Sequence, residues 1–245
     1  AYARATGRIG VALTSTGTGA GNAAGAMLEA LTAGSRVLHV TGNIDSAQLG
    51  KDRGVYHEVP RQLEMLGTVS RHALRVDAAR RSERTLAEAV RLLDAAPTGP
   101  VSIDWPIDLQ YTADPDKQAR VPKTLRTDPE PQAATKREIA KAARVLRRAK
   151  RPLIWAGGGT RALASTAEGQ RALVELAERW GAGVLTGAAG RGAVPEDHPL
   201  LIGNFAVADE LAELVRDADC LLTLGSHLRA NETKTFELPL PGTHV

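Results

Sequence analysis

Hydrophobic and polar positions along this chain alternate between short apolar runs and stripes at helical spacing. In the first half, "IGVALT" (9–14), "RVLHVT" (36–41) and "PVSIDW" (100–105) read as strands, while Ala20–Ala33 and Glu83–Leu93 read as helices. Strands that take turns with helices pair in parallel, because a parallel neighbour needs a crossover long enough to hold a helix. After Trp105 the alternation stops. The stretch from Pro106 to Gln132 carries five prolines and many charges without an apolar period, which predicts a surface linker over 111–132.

The pattern then restarts. Ile139, Ala142, Val145, Leu146 and Ala149 share one helix face, "PLIWA" (152–156) reads as a strand, and "GGGT" turns sharply into a helix striped by Ala172, Leu173, Leu176, Ala177 and Trp180. The strand "GVLT" (183–186), a loop rich in Gly and Pro, a helix over Ala208–Val215 and the strand "CLLTL" (220–224) complete a β-α-β-α-β run. The expectation is an α/β protein of two doubly wound parallel-sheet domains, 1–110 and 133–245, the second Rossmann-like. Both domains read as truncated, since "AYARATG" opens in mid-phrase and "LPLPGTHV" ends where another buried strand is starting.

Composition narrows this picture. Aromatics make up only 3% of 245 residues, so the core must be built from Ala, Val, Leu and Ile, which suits buried parallel strands. The net charge of +3 is small and the basic residues are dispersed, which argues against a nucleic-acid partner. No run approaches the roughly 18 apolar residues of a membrane span, so no membrane partner is expected. The single Cys220 excludes an internal disulfide and a Cys-rich metal site, and its apolar setting reads as a buried thiol in a reducing compartment. The first residues lack the plan of a secretory signal, so a cytoplasmic protein is expected.

Candidate chemistry begins at "STGTGAGN", Ser15 to Asn22, where three glycines fall within eight residues between a strand and a helix. Gly17, Gly19 and Gly21 allow a tight turn and a close backbone approach to a flat ring. Asn22 follows near the helix start, where its amide serves either a ligand or the free backbone N–H groups of the helix. In the second half Gly157, Gly158 and Gly159 also join a strand to a helix, a setting that can hold a phosphate or simply permit close packing. His39, His72, His198, His227 and His244 show no metal-ligand spacing, and no metal site is expected within the chain.

"YARATG", "VALTSTGTGAGNAAGAMLEAL", "AKRPLIWAGGG", "VPEDHPLLIGNF" and "DADCLLTLGS" stand in an order that resembles the thiamine diphosphate-dependent enzymes of the acetolactate synthase and 2-oxoacid decarboxylase superfamily. The resemblance covers essentially the whole chain: the latter part of the pyrimidine-binding domain and most of the central domain. It implies that Gly17, Thr18, Gly19 and Asn22 contact the aminopyrimidine side of the cofactor. Thr18 departs from the family, which usually has Pro there. Tyr56, His57 and Glu58 match the family's Phe-Gln-Glu segment, so Ser15, Tyr56 and His57 are expected to face the substrate. His57 puts a group that titrates near neutral pH where relatives carry an amide, which makes it a candidate proton donor.

The resemblance further implies a parent that binds thiamine diphosphate and Mg2+ and decarboxylates a 2-oxoacid such as pyruvate. The resulting carbanion unit is transferred to a second carbonyl or released as an aldehyde. The parent is expected to be a homodimer or homotetramer, because the family's active site forms between subunits. The family's catalytic glutamate would precede Ala1, Glu29, Glu58 and Glu64 do not replace it by position, and no GDG metal motif occurs. The isolated chain is therefore expected to be inactive. In some relatives the central domain holds FAD, in others an adenine nucleotide, in many nothing; the departure of Gly157–Gly159 from GxGxxG, and His227 where an arginine is common, count against FAD. Two other readings stay open. One is a nucleotide-binding Rossmann-like protein, for which Glu175 and Glu178 lie near the distance of a ribose-binding acid but inside a helix pattern. The other is a non-catalytic relative.

Overall fold

The computed structural model describes residues 1–112, 133–164, 166–204 and 208–245, in two units, Ala1–Pro131 and Gln132–Val245. The expected linker, 111–132, lies almost wholly outside the described residues. In the first unit α1 (Tyr2–Thr6) is followed by β1 (Gly10–Thr14), α2 (Thr18–Thr32), β2 (Val37–Asn43), α3 (Gln62–Val69), β3 (His72–Arg75), α4 (Ser82–Asp94), β4 (Val101–Pro106) and α5 (Ile107–Tyr111). In the second, α6 (Lys136–Leu146) is followed by β5 (Pro152–Ala156), α7 (Arg161–Ala164), α8 (Ala167–Trp180), β6 (Gly183–Thr186), β7 (Leu201–Asn204), α9 (Asp209–Asp217) and β8 (Cys220–Leu224).

The first sheet has the order β1-β2-β4-β3, all parallel. Right-handed crossovers place α2 and α3 on one face and α4, whose connection runs back from β3 to β4, on the other. Because side chains alternate along a strand, the two faces differ in chemistry. Leu38, Val101 and Ile103 point toward α4, where they meet Ala89 and Leu93 in an apolar core. On the opposite face His39, Thr41, Asn43, Ser102 and Asp104 are buried. Val11 and Leu13 sit in register with Leu38 and Val40 on the apolar face, yet at the edge strand they stand 64% and 76% exposed.

The second sheet has the order β7-β6-β5-β8, again all parallel. One face packs Ile154, Val184 and Leu222 on Leu173 and Ala177 of α8, and the other packs Leu153, Trp155 and Leu185 on Ala212 and Val215 of α9. Both ends of α8 carry ordinary stop signals. The Thr166 hydroxyl accepts from Gly169 N at 3.0 Å, and Gly181 closes the helix in the left-handed region at φ 67°. Beyond β8 the segment 243–245 runs parallel to it, with Leu221 N donating to Thr243 O and Val245 N to Leu221 O. This is the strand start expected in "LPLPGTHV", and it extends the order to the one typical of a Rossmann sheet.

Two strands escape the sequence pattern. β3, "HALR", and β7, "LIGN", are four-residue edge strands in which every residue is only half-buried. They have too little apolar content to stand out from the loops that flank them.

Candidate active site

In open parallel sheets ligands sit in the crevice outside the carboxyl ends of the strands, and the Ser15–Gly17 loop lies at that end of β1. Gly17 adopts φ 59°, and a Cβ there would overlap the His57 carbonyl, so only glycine fits. Gly17 N donates to Gln62 Oε1 at 2.9 Å, and Gln62 is 1% exposed. The same side chain donates through Nε2 to Gly42 O at 2.8 Å and to Asp104 Oδ1 at 2.9 Å. Asp104, fully buried, also accepts from Asn43 Nδ2 at 2.9 and 3.1 Å and from Arg75 Nε at 2.7 Å, and it pairs with the Arg75 terminal nitrogen at 2.5 Å. The Thr41 hydroxyl donates to Ser15 O at 3.0 Å.

One carboxylate at the top of β4 thus joins the ends of all four strands. Burying such a charge alone costs several kcal/mol, which the neighbouring guanidinium and a full set of donors offset. Gln62, Asp104, Asn43 and Arg75 were not candidates in the sequence reading. One signal was available: Asp104 puts a charge between Ile103 and Trp105 in an otherwise apolar strand. What it meets depends on residues 29 to 61 positions away.

The expected site residues fall into two groups. Ser15 on the loop and Thr18 at the start of α2 are exposed, and a Cβ at Gly19 would stand 2.5 Å from Ser15 Oγ, so Gly17 and Gly19 are both close-approach glycines. Gly21 is not, since nothing lies within 4 Å of a Cβ built there. Asn22 is exposed in the second turn of α2, whose N-cap is Gly17 without a side-chain cap. Asn22 therefore does not cap the helix. Tyr56, 83% exposed, stacks on the His57 ring with centroids 3.9 Å apart. His57 holds φ 64° and presses its carbonyl on Gly17, so the fold brings the two expected loops together. A cavity of about 170 Å3 is lined by Asn43, Leu49, Glu58 and Arg75 among others. Glu58 Oε2 accepts from Val55 N at 2.9 Å, while Oε1 is buried without a partner.

Under this site runs a second polar chain. His39 is fully buried in β2, with Nε2 2.9 Å from the Thr14 hydroxyl and Nδ1 3.2 Å from the Ser102 hydroxyl, itself 2.6 Å from the Ser70 hydroxyl. Hydroxyls donate or accept as needed, so they satisfy either neutral tautomer. Burial holds His39 below the usual histidine range.

The glycine triplet of the second unit is arranged differently. Gly157 N donates to Leu224 O, Gly159 N to Gly225 O and Thr160 N to Gly157 O, so three N–H groups of the turn are taken by carbonyls. A Cβ at Gly159 would stand 2.7 Å from Gly225 Cα, and one at Gly225, at φ 58°, would stand 2.5 Å from Gly159 Cα. The turn after β5 is therefore packed backbone to backbone on the turn after β8, at the point where a Rossmann sheet changes direction. His227 is exposed, Glu175 pairs with Arg179 and Glu178 with His198, all within or beside α8 or on the surface. Cys220 is free and buried, and burial followed by Asp219 pushes its thiol up. Among the described residues no group of three or more His, Cys, Asp or Glu side chains is placed to hold a metal ion, and no helix is long and apolar enough to cross a membrane.

Two parallel sheets, a glycine turn at the carboxyl end of the first and a Rossmann order in the second define a class that the comparisons identify. Residues 1–65 match the thiamine pyrophosphate enzyme N-terminal TPP binding domain, and residues 139–243 match the thiamine pyrophosphate enzyme central domain. The chain belongs to the thiamine pyrophosphate-dependent enzymes of the acetolactate synthase and 2-oxoacid decarboxylase superfamily. A probable 2-ketoarginine decarboxylase of Pseudomonas aeruginosa is 30% identical over 242 residues, 98% of this chain and 42% of that relative. A probable acetolactate synthase large subunit of Methanocaldococcus jannaschii is 29% identical over 91% of this chain and 37% of its own length. Acetolactate synthase 1 of Zea mays chloroplasts is 31% identical over 91% and 34%. The chain thus spans well under half the length of these relatives.

Proposed function

We propose that this chain supplies the aminopyrimidine-side loop and the central domain of an enzyme that decarboxylates a 2-oxoacid, such as pyruvate, and passes the remaining unit to a second carbonyl or releases an aldehyde. The observation that carries this reading is the meeting of Gly17 and His57. A buried glycine with positive φ and no room for a Cβ seats the turn that carries Ser15 and Thr18, both exposed, against the segment that carries His57 and the exposed Tyr56. These residues fit one side of a flat aromatic ring.

When bound, thiamine diphosphate supplies the nucleophilic carbon and the electron sink for loss of CO2. Gly17, Thr18, Gly19 and Asn22 would hold its pyrimidine side, the backbone by close approach and Asn22 by its exposed amide. Tyr56 and Ser15 line the substrate side. His57, held by its stack with Tyr56, would donate a proton from its imidazole nitrogen to the substrate's developing oxygen. Mg2+ would accompany the diphosphate on residues other than those described. For the central domain we infer close packing at Gly157–Gly159 in place of FAD, because the N–H groups of Gly157, Gly159 and Thr160 already bond carbonyls. The same contacts count against the nucleotide-binding reading. We further propose a cytoplasmic homodimer or homotetramer, consistent with Val11, Leu13 and Tyr56 standing exposed.

The test is CO2 release by the protein from its complete open reading frame, offered pyruvate and other 2-oxoacids with and without thiamine diphosphate and Mg2+. Cofactor-dependent release is expected. A folded protein that releases no CO2 but binds the cofactor is a non-catalytic relative, and one that does neither overturns the reading. The 245 residues alone are expected to consume no pyruvate.

A further inference from the structure

We propose that Gln62 is a positioning residue that sets the place of the Gly17 loop for the cofactor, driven by the buried charge of Asp104. This rests on the reading of that loop as the aminopyrimidine contact.

The orientation of the Gln62 amide follows from its partners. Gly17 N–H can only donate, while the Gly42 carbonyl and the Asp104 carboxylate can only accept, so the oxygen faces Gly17 and the nitrogen faces the other two. A nitrogen polarised by an adjacent carboxylate makes its own carbonyl oxygen a stronger acceptor, and that oxygen holds the loop. On the other side the His57 carbonyl fills the place of the missing Gly17 Cβ. Gly17 is therefore gripped from two directions by one short segment, His57 to Gln62, which carries the expected substrate-facing histidine at one end and the clamp at the other. Cofactor loop and substrate loop are placed as a unit, and neither can shift without breaking a contact of this pair.

The clamp also explains why a charge is kept at the centre of the first sheet's polar face. Asn43 and Arg75 satisfy and neutralise Asp104 but do not touch Gly17. Among the described residues, Gln62 is the side chain that bonds both Asp104 and the loop.

The experiment measures thiamine diphosphate affinity calorimetrically, with Mg2+ present, for the protein from the complete open reading frame and for Gln62→Met and Gln62→Glu, at pH 8 and pH 6. Gln62→Met keeps length and loses every hydrogen bond, and its Kd is expected to rise about tenfold to hundredfold, the range that one orphaned buried donor produces. Gln62→Glu keeps the shape. At pH 8 its ionised carboxylate opposes Asp104 and the clamp opens; protonated, its hydroxyl donates to Asp104 while its carbonyl oxygen accepts from Gly17 N–H. Its affinity is therefore expected to recover toward the wild-type value at pH 6, whereas Gln62→Met does not recover. Faster exchange of the Gly17 amide in Gln62→Met, read by NMR on the 245-residue chain, is expected alongside.

Binding by Gln62→Met within about twofold of the wild type overturns the proposal, as does an equal, pH-independent loss in both variants, which marks a purely structural glutamine. If Gln62→Met does not fold, the pH response of Gln62→Glu decides alone. Absence of binding by the wild type overturns the proposed function, and this inference with it; weakened binding confined to the variants cannot be confused with that result.

Discussion

The two sheets close their carboxyl ends by opposite means. At the first, a buried carboxylate gathers an amide, an amide-bearing asparagine and a guanidinium, and through them every strand end. At the second, two glycine turns lie backbone on backbone, with the N–H groups of Gly157 and Gly159 donating to the carbonyls of Leu224 and Gly225. A network of side chains places loops at a distance and leaves Ser15 and Thr18 exposed on either side of the buried Gly17. Direct backbone contact holds the second pair of turns, with Gly159 and Gly225 themselves exposed. The same strand-turn-helix motif, rich in glycine, is thus held by side chains in one unit and by backbone contact in the other.

The largest effect is expected at the centre of the network. Asp104→Leu leaves the donors of Gln62, Asn43 and Arg75 without an acceptor and should destabilise the first unit by about 3–5 kcal/mol. Hydrogen exchange read separately over 1–112 and 133–245 should show the loss in the first range alone; an equal loss in both would mean that the carboxylate is not a local tie. Next comes the glycine contact. Gly225→Ala adds a Cβ at φ 58° against Gly159 Cα, and the strain should cost the second unit about 1–3 kcal/mol, with thiamine diphosphate affinity unchanged because the proposed contacts to it lie in the first unit.

The polar face should also make the first unit sensitive to acid. Burial lowers the His39 pKa in the folded state, so on acidification the unfolded chain binds the proton first. The stability contributed by neutral His39 is full above the unfolded value, about 6.5, and is lost as pH falls from there through the lower folded value. Urea unfolding of the first unit should show this slope, and His39→Gln should flatten it; an unaltered slope would place the acid sensitivity elsewhere. The smallest expected change is at Thr166, which caps α8 where α2 has only Gly17. Thr166→Ala should cost about 1 kcal/mol, visible as a small drop in the urea midpoint of the second unit.

Central strands and amphipathic helices were legible because burial on both faces leaves a run of apolar residues. "PLIWA", "GVLT" and "CLLTL" were read residue for residue as β5, β6 and β8. The edge strands β3 and β7 were not, since half-exposed positions accept polar residues and glycine and erase the pattern. The glycines of the first turn were legible as a turn, but the role of Gly21 was not: it looks like Gly17 and Gly19 in sequence and has open space where they have neighbours. Likewise Asn22 stands where a cap could be, and only the start of α2 at Thr18 shows that it is not one.

The amino-acid sequence by itself determined the alternation of elements, the two-part organisation and the family, because apolar period and glycine placement are local properties. Only the tertiary structure decided which polar groups meet. Asp104, Gln62, Asn43 and Arg75 lie on separate elements with no shared spacing, and a buried charge is tolerated only where the assembled fold supplies its counter-charge and donors together.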